Sequence, residues 1–355
     1  MSGFRSSGKT NRGCAMKLYG REWSRRELEA RVGRIEQIAG IRRWVAAEGR
    51  EAGVEQLHVR TGAGLSYWVT PTKGLDIAMA DYCGVPISWQ SCNGDVHPRY
   101  YEAQGDGWLR TASGGLLMTC GMMQVGSACE DEGEPLGLHG RAHHTPARQV
   151  TAASNWDGEE MEMRITGIVE EASLFGGYLR LTRRISSFLG QNSIRIEDEV
   201  RNMGFRRCPH MMLYHFNFGF PLMDENTAIR FPAANVRARE PQTPVDGYDT
   251  WQVPDPDYQE RVYLHAGVTD PAVRIVNRNF PLPDGGRQVE AVLRWSADTL
   301  PNLLQWKMPG AGMHVLGIEP ANCGVAGRAM ERKRGTLVFL EPGETVNYRL
   351  ELNLA

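Results

Sequence analysis

Apolar and polar residues alternate with a period of two over much of this chain. Between Ser193 and Arg201, Ile194, Ile196 and Val200 point one way, and Arg195, Glu197, Glu199 and Arg201 the other. The last segment repeats the pattern, with Val346, Tyr348, Leu350, Leu352 and Leu354 set against Asn347, Arg349, Glu351 and Asn353. Met161, Met163 and Ile165 alternate with Glu160, Glu162 and Arg164, and Leu179 and Leu181 alternate with Arg180 and Thr182. Successive side chains of a strand leave opposite faces, so each segment predicts an antiparallel strand with one buried face. Turn-forming residues are frequent, with 40 Gly and 19 Pro, and no strand–helix–strand rhythm or glycine-rich phosphate loop appears. A Rossmann-type fold is therefore not expected.

One helical signal stands near the start. Ser24-Arg25-Arg26-Glu27 is a capping-box pattern, and Leu28, Val32, Ile35 and Ile38 follow at helical spacing up to Gly40. Residues 241–257, rich in Pro and Asp, read as a long surface loop because strand patterning resumes on both sides. Residues 1–15 are polar and Gly/Ser-rich and read as a disordered leader or tag, with Met16 as a natural start. The expectation is an all-β protein: one large antiparallel β-sandwich over residues 16–355 with a short N-terminal extension.

Composition narrows the function classes. The 355 residues are 41% hydrophobic and 23% charged, enough for a sizeable core under an ordinary surface. A formal net charge of −2 gives no electrostatic footprint for nucleic acid or an anionic membrane. Seven cysteines without a C-x-x-C pair argue against a disulfide framework and a zinc ribbon, and suit a reducing, cytoplasmic setting. No apolar run has the length of a bilayer span. Oligomeric state is open, with a homodimer among the options.

The richest stretch is Tyr214-His215-Phe216-Asn217-Phe218-Gly219-Phe220-Pro221, which follows the apolar run Met211-Met212-Leu213. A histidine titrates near neutrality and so can give or take a proton. Asn217 would share the strand face of His215, with Tyr214, Phe216 and Phe218 on the other. Glu319 closes a second apolar run, Val315-Leu316-Gly317-Ile318, where burial would raise a carboxyl pKa. The bland alternatives are a satisfied core histidine and a carboxylate at the turn before Pro320. Leu138-His139-Gly140-Arg141-Ala142-His143-His144 holds a further cluster. His139 and Arg141 fit either a ligand site or a loop, whereas His143 and His144 read as solvated loop residues. A metal reading through His139 and His143 at i, i+4 needs a helix that Gly140 and Pro146 oppose, so no metal is expected. Lys73 and Asp76 read as a structural ion pair in a turn. Trp306 and Trp295 are candidate sugar platforms, and Trp89 and Trp108 core or wall residues.

These blocks together resemble the aldose 1-epimerase (galactose mutarotase-like) superfamily, in particular a divergent bacterial branch. Pro71 to Gly84 with Pro86, Ser88, Trp89 and Ser91 is similar to its first strands. Gly114 to Gly121 with Leu138-His139-Gly140-Arg141 is similar to its Gly-Gly turn and His-Gly loop. Tyr214 to Pro221 and Ile318-Glu319-Pro320 resemble the segments bearing its catalytic histidine and glutamate. The resemblance implies a β-supersandwich, no cofactor, and an isomerase that exchanges the anomers of a monosaccharide or sugar derivative by ring opening. Carried over by position, Glu319 is the general base, His215 the general acid, His139 and Arg141 hydrogen-bond the sugar, and Glu260 takes the place of a hydroxyl-binding aspartate; Asn217 and Trp306 join them as substrate-binding candidates from the residue reading above. The chain departs from the family pattern at Ser113, where an arginine commonly stands near the Gly-Gly turn, leaving Arg110 or Arg141 as a substitute. Glu260 also stands where relatives have aspartate, which points to an altered sugar, and the arginines leave room for an anionic one. Two rival functions stay open: a non-catalytic carbohydrate-binding or regulatory protein on the same fold, and a metal-dependent sugar isomerase or lyase using His97, His139 and His143.

Overall fold

In the computed structural model, residues 16–355 are described. The expectation for residues 1–15 lies outside them. Two antiparallel sheets carry the architecture. An eight-stranded sheet runs in the order 148–157, 160–172, 178–188, 193–202, 345–354, 289–295, 272–277 and 227–230. A twelve-stranded sheet has a main path through 235–238, 261–266, 302–308, 315–321, 208–219, 117–122, 76–82, 65–70, 55–60 and 40–45. Every pairing between these strands is antiparallel. The fold is thus the all-β sandwich that the alternating pattern implies.

The period-two segments fall on strands as their patterns demand. Ser193–Asn202 alternates buried and exposed along its length, with Ile194, Ile196 and Val200 inside. One hydrophobic core fills the space between the sheets, joining Ile194, Ile196, Leu350 and Leu352 to Tyr214, Phe216, Phe218 and Ile318. The early helix is shorter than the apolar spacing suggests. Ser24 caps it with the full capping box, but the α-helix covers only Arg25–Glu29. Arg34 after Gly33 is extended, and a separate 3-10 turn spans Ile35–Gln37. Leu28 and Ile38 nonetheless reach the core, so the apolar spacing marks burial rather than a continuous helix. Residues 241–257 form no strand, but Trp251 within them is buried in the core, so this loop is anchored. Among the described residues no helix is long and apolar enough to cross a membrane.

Candidate active site

The site lies on the face of the twelve-stranded sheet turned away from the main core. Alternation along Cys208–Gly219 decides this. Met212, Tyr214, Phe216 and Phe218 join the core between the sheets. Met211 and Leu213 join a second, smaller cluster with Trp108, Met118, Cys120, Leu304 and Ala321. His215 and Asn217 continue this second face beyond its apolar part. The three rings flanking His215 in the chain are therefore core residues and hold the strand rather than a ligand.

The neighbouring strand, Val315–Ala321, delivers the carboxylate. Its ladder pairs Leu213 with Ala321 and Phe216 with Ile318, so His215 faces Glu319 directly across it. His215 Nε2 and Glu319 Oε1 stand 3.2 Å apart. They are side-by-side neighbours on one face, not groups facing each other over a cleft. Gly317 makes room for the pair. A Cβ there would sit 2.8 Å from Glu319 Oε1, 2.8 Å from Trp306 Cβ and 3.2 Å from His215 Cε1. Burial raises the Glu319 pKa, and the nearby Glu260 charge raises it further, against the lowering effect of His215 and Arg239.

Around this pair stand rings and unpartnered polar atoms. Trp306 packs edge-on against His215 with centroids 5.6 Å apart, and against Trp89 at 5.9 Å. His139 is edge-on to His215 at 6.1 Å and leans on Trp108 at 4.9 Å. His139 occupies a left-handed backbone conformation (φ 56°), followed by Gly140 (φ 72°), where a Cβ would sit 2.4 Å from the Gln124 carbonyl oxygen. Burial, with the charges of His215 and Arg239, holds His139 down at about 3, so its imidazole is neutral at neutral pH. Asn217 donates to the carbonyls of Gly115 and His215. Its Oδ1, with Nδ1 of His139, Nδ1 of His215 and Nε1 of Trp108, is buried without a protein partner. Buried polar atoms normally find partners, so this many on one face is what a polar ligand would satisfy. The Gly114-Gly115 turn has φ of 72° and 82°, and a Cβ on Gly114 would sit 2.8 Å from the Trp89 ring.

Glu260 is exposed and reaches the same place. It accepts from Trp306 Nε1 at 3.0 Å and from Arg239 Nη2 at 2.9 Å. Arg239 is the residue that motif reading missed; its only signal was the alternation Val236-Arg237-Ala238-Arg239 ahead of the Pro/Asp-rich loop. The two arginines expected to serve instead make no contact with the His215–Glu319 pair. Arg141 is exposed, and its charge acts on Tyr101 and Glu171. Arg110 is exposed and faces Glu102 at 3.7 Å.

Other expectations are corrected by long-range packing. His143 and His144 are buried rather than solvated: His143 Nδ1 bonds Asp76 at 2.7 Å, and His144 stacks on Tyr101 and bonds Thr111 at 2.8 Å. Lys73 and Asp76 do not bond each other. Lys73 donates to the Thr111 carbonyl and to Ser113, and burial lowers its pKa to about 8. Asp76 instead binds Arg183, Thr119 and His143. Trp295 is buried in the core with its indole N–H on the Leu300 carbonyl, so it is no sugar platform. His97 caps a short turn through Arg99 N, and no group of three metal-ligating side chains converges among the described residues.

The fold of this chain is a mutarotase-like β-sandwich. A structure from Klebsiella pneumoniae subsp. pneumoniae MGH 78578, provisionally named an aldose 1-epimerase, superposes with a TM-score of 0.77 at 23% identity, covering 88% of this chain and 83% of that one. Galactose 1-epimerase from Lactobacillus acidophilus NCFM gives 0.57 at 12% identity over 89% and 99%. A galactose mutarotase-like protein from Clostridium acetobutylicum gives 0.57 at 12% over 90% and 99%. No curated protein matches the sequence. The family model described as domain of unknown function DUF4432 matches residues 51–354, and the chain belongs to that family.

Proposed function

We propose that this protein is an aldose 1-epimerase-like isomerase that exchanges the anomers of a sugar at His215 and Glu319. The observation that carries the reading is the contrast between two histidines of one strand. His210 bonds the Met122 carbonyl through Nδ1 and the Tyr348 hydroxyl through Nε2, and is a satisfied core residue. His215 leaves Nδ1 unpartnered and sets Nε2 3.2 Å from a buried carboxylate. Nothing in packing requires that arrangement. Proton transfer does, because it needs an acid and a base within reach of one reacting centre.

In the reaction, Glu319 removes the proton of the anomeric hydroxyl while His215 protonates the ring oxygen. The C1–O5 bond breaks, and the freed aldehyde turns about its bond to C2. Reclosure on the other carbonyl face returns both protons with the roles reversed. The raised Glu319 pKa brings the base closer to the working pH, which strengthens it as an acceptor. Neutral His139 offers a hydrogen bond without competing for the proton.

His215→Asn and Glu319→Gln should each lower the catalysed anomer-exchange rate by roughly 10²- to 10⁴-fold, with the fold intact. The rate is read by NMR saturation transfer across a panel of aldoses, and folding by thermal melts. Wild-type exchange surviving in either variant would remove that residue from the mechanism.

A further inference from the structure

The mouth of the site carries a charge arrangement that bears on which sugars enter. Arg239 is bonded by two carboxylates at once, Nε to Glu240 and Nη2 to Glu260, each at 2.9 Å. The second oxygen of Glu260 accepts from Trp306 Nε1 at 3.0 Å, and the Trp306 ring touches His215. A chain of contacts therefore runs from the solvent-facing guanidinium to the His215–Glu319 pair. The charges of Arg239 and Glu260 both act on Glu319, and that of Arg239 acts on His139. The next cation along the Trp306 strand, Lys307, is turned to the opposite face and donates to the carbonyls of Gly247 and Thr250.

We infer that Arg239 and Glu260 form a charge-masked clamp that reads sugar hydroxyls, so that the site takes an uncharged sugar and Glu260 is the residue that turns acidic sugars away. The inference rests on the anomer-exchange reading of the same site. A guanidinium has five N–H donors, of which two are engaged here, so N–H groups remain for hydroxyl oxygens. A carboxylate accepts at about four lone-pair positions, so Glu260 retains capacity for hydroxyl donors after its two bonds. Neutral hydroxyls can thus be bound by both groups without breaking the pair. A substrate carboxylate or phosphate meets a different surface. It could reach the remaining Arg239 N–H groups only beside Glu240 and Glu260, and in the field of Glu319, where like charges repel. The pair is half exposed, so water weakens it. Masking therefore depends on the Glu260 charge and is removable by one substitution.

Glu260→Gln keeps the length of the side chain and an acceptor for Trp306 but unmasks Arg239. Anomer exchange and, separately, equilibrium binding by NMR titration should be compared for D-glucose against D-glucuronate, and D-galactose against D-galacturonate. In the wild type the neutral member of each pair should be preferred by roughly tenfold or more in kcat/KM and in affinity. Glu260→Gln should shift that ratio toward the acid by about tenfold, chiefly through KM, and Arg239→Gln/Glu260→Gln should abolish the gain. A wild type that prefers the uronates, or a Glu260→Gln ratio equal to the wild-type one, overturns the clamp. Absence of exchange on every sugar, with the binding preference intact, would overturn the proposed chemistry and leave the clamp standing. Both side chains are on the surface, so the variants should fold, which thermal melts check.

Discussion

At the scale of single residues, the site depends on one missing side chain as much as on those present. Gly317 lies between the Trp306 and Asn217 backbones in the ladder, under the His215–Glu319 contact. Its φ is unremarkable, so the constraint is space rather than backbone strain. Gly317→Ala would set a methyl 2.8 Å from Glu319 Oε1 and 2.8 Å from Trp306 Cβ, pushing carboxylate and ring off the imidazole. A displacement near 1 Å at a reacting group costs on the order of 10²-fold in rate. Gly317→Ala should therefore lose anomer exchange by roughly that factor. Its melting temperature should stay near wild type, because the methyl faces the site and not the main core. Full activity in this variant would mean that the contact at Glu319 is not the working geometry.

At the scale of elements, the strand Cys208–Gly219 does two jobs with its two faces, and the faces should separate in experiment. Phe216 is buried in the core between the sheets, one residue from His215. Phe216→Ala should cost about 3–5 kcal/mol of stability through the cavity it leaves. Well below the melting temperature it should retain exchange within a few fold of wild type, while His215→Asn should show the converse: a dead site on a stable fold. A Phe216→Ala protein that melts like wild type would contradict the assigned facing. This two-faced strand was legible in the sequence because alternation is a local property, and so were Ser193–Asn202 and Thr345–Leu354. His215 and Glu319 were legible as candidates because each interrupts an apolar run. What escaped was set by contacts between distant segments. His143 and His144 look solvated among Arg141, Thr145 and Pro146, yet Asp76 and Thr111 receive them into the interior. Lys73 and Asp76 are near in sequence, but Asp76 is turned to Arg183 on the other sheet. Arg239 sits 21 residues before Glu260, the more distant of the two carboxylates it binds, with an irregular loop between, so no periodicity could connect them.

At the scale of the whole molecule, the two sheets are joined by a buried polar cluster as well as by the apolar core. Arg183, on the eight-stranded sheet, binds Asp198 of its own sheet and Asp76 of the other at 2.7 and 2.8 Å. Tyr214, on the strand of His215, donates to Asp198 at 2.7 Å and closes the link from the other side. Asp76 also holds His143, which packs against Trp108 beneath the site. This cluster fixes how the site-bearing sheet sits on its partner. Arg183→Met fills similar volume but leaves two buried carboxylates without their cation, which should cost about 3–5 kcal/mol. The loss should depend on pH with a definite sign. Burial already raises the Asp76 pKa, and the Arg183 charge is the largest influence opposing that rise. Without the guanidinium, the folded-state pKa climbs further above the unfolded one. A carboxyl shifted up in this way favours the folded state at low pH, and the benefit disappears as pH rises through the folded value. The melting-temperature gap between wild type and Arg183→Met should therefore be widest near pH 8 and narrow steadily toward pH 5. A gap that is constant across that range would show that Asp76 and Asp198 find other partners when Arg183 is gone, and that the ionic link does not hold the sheets in register.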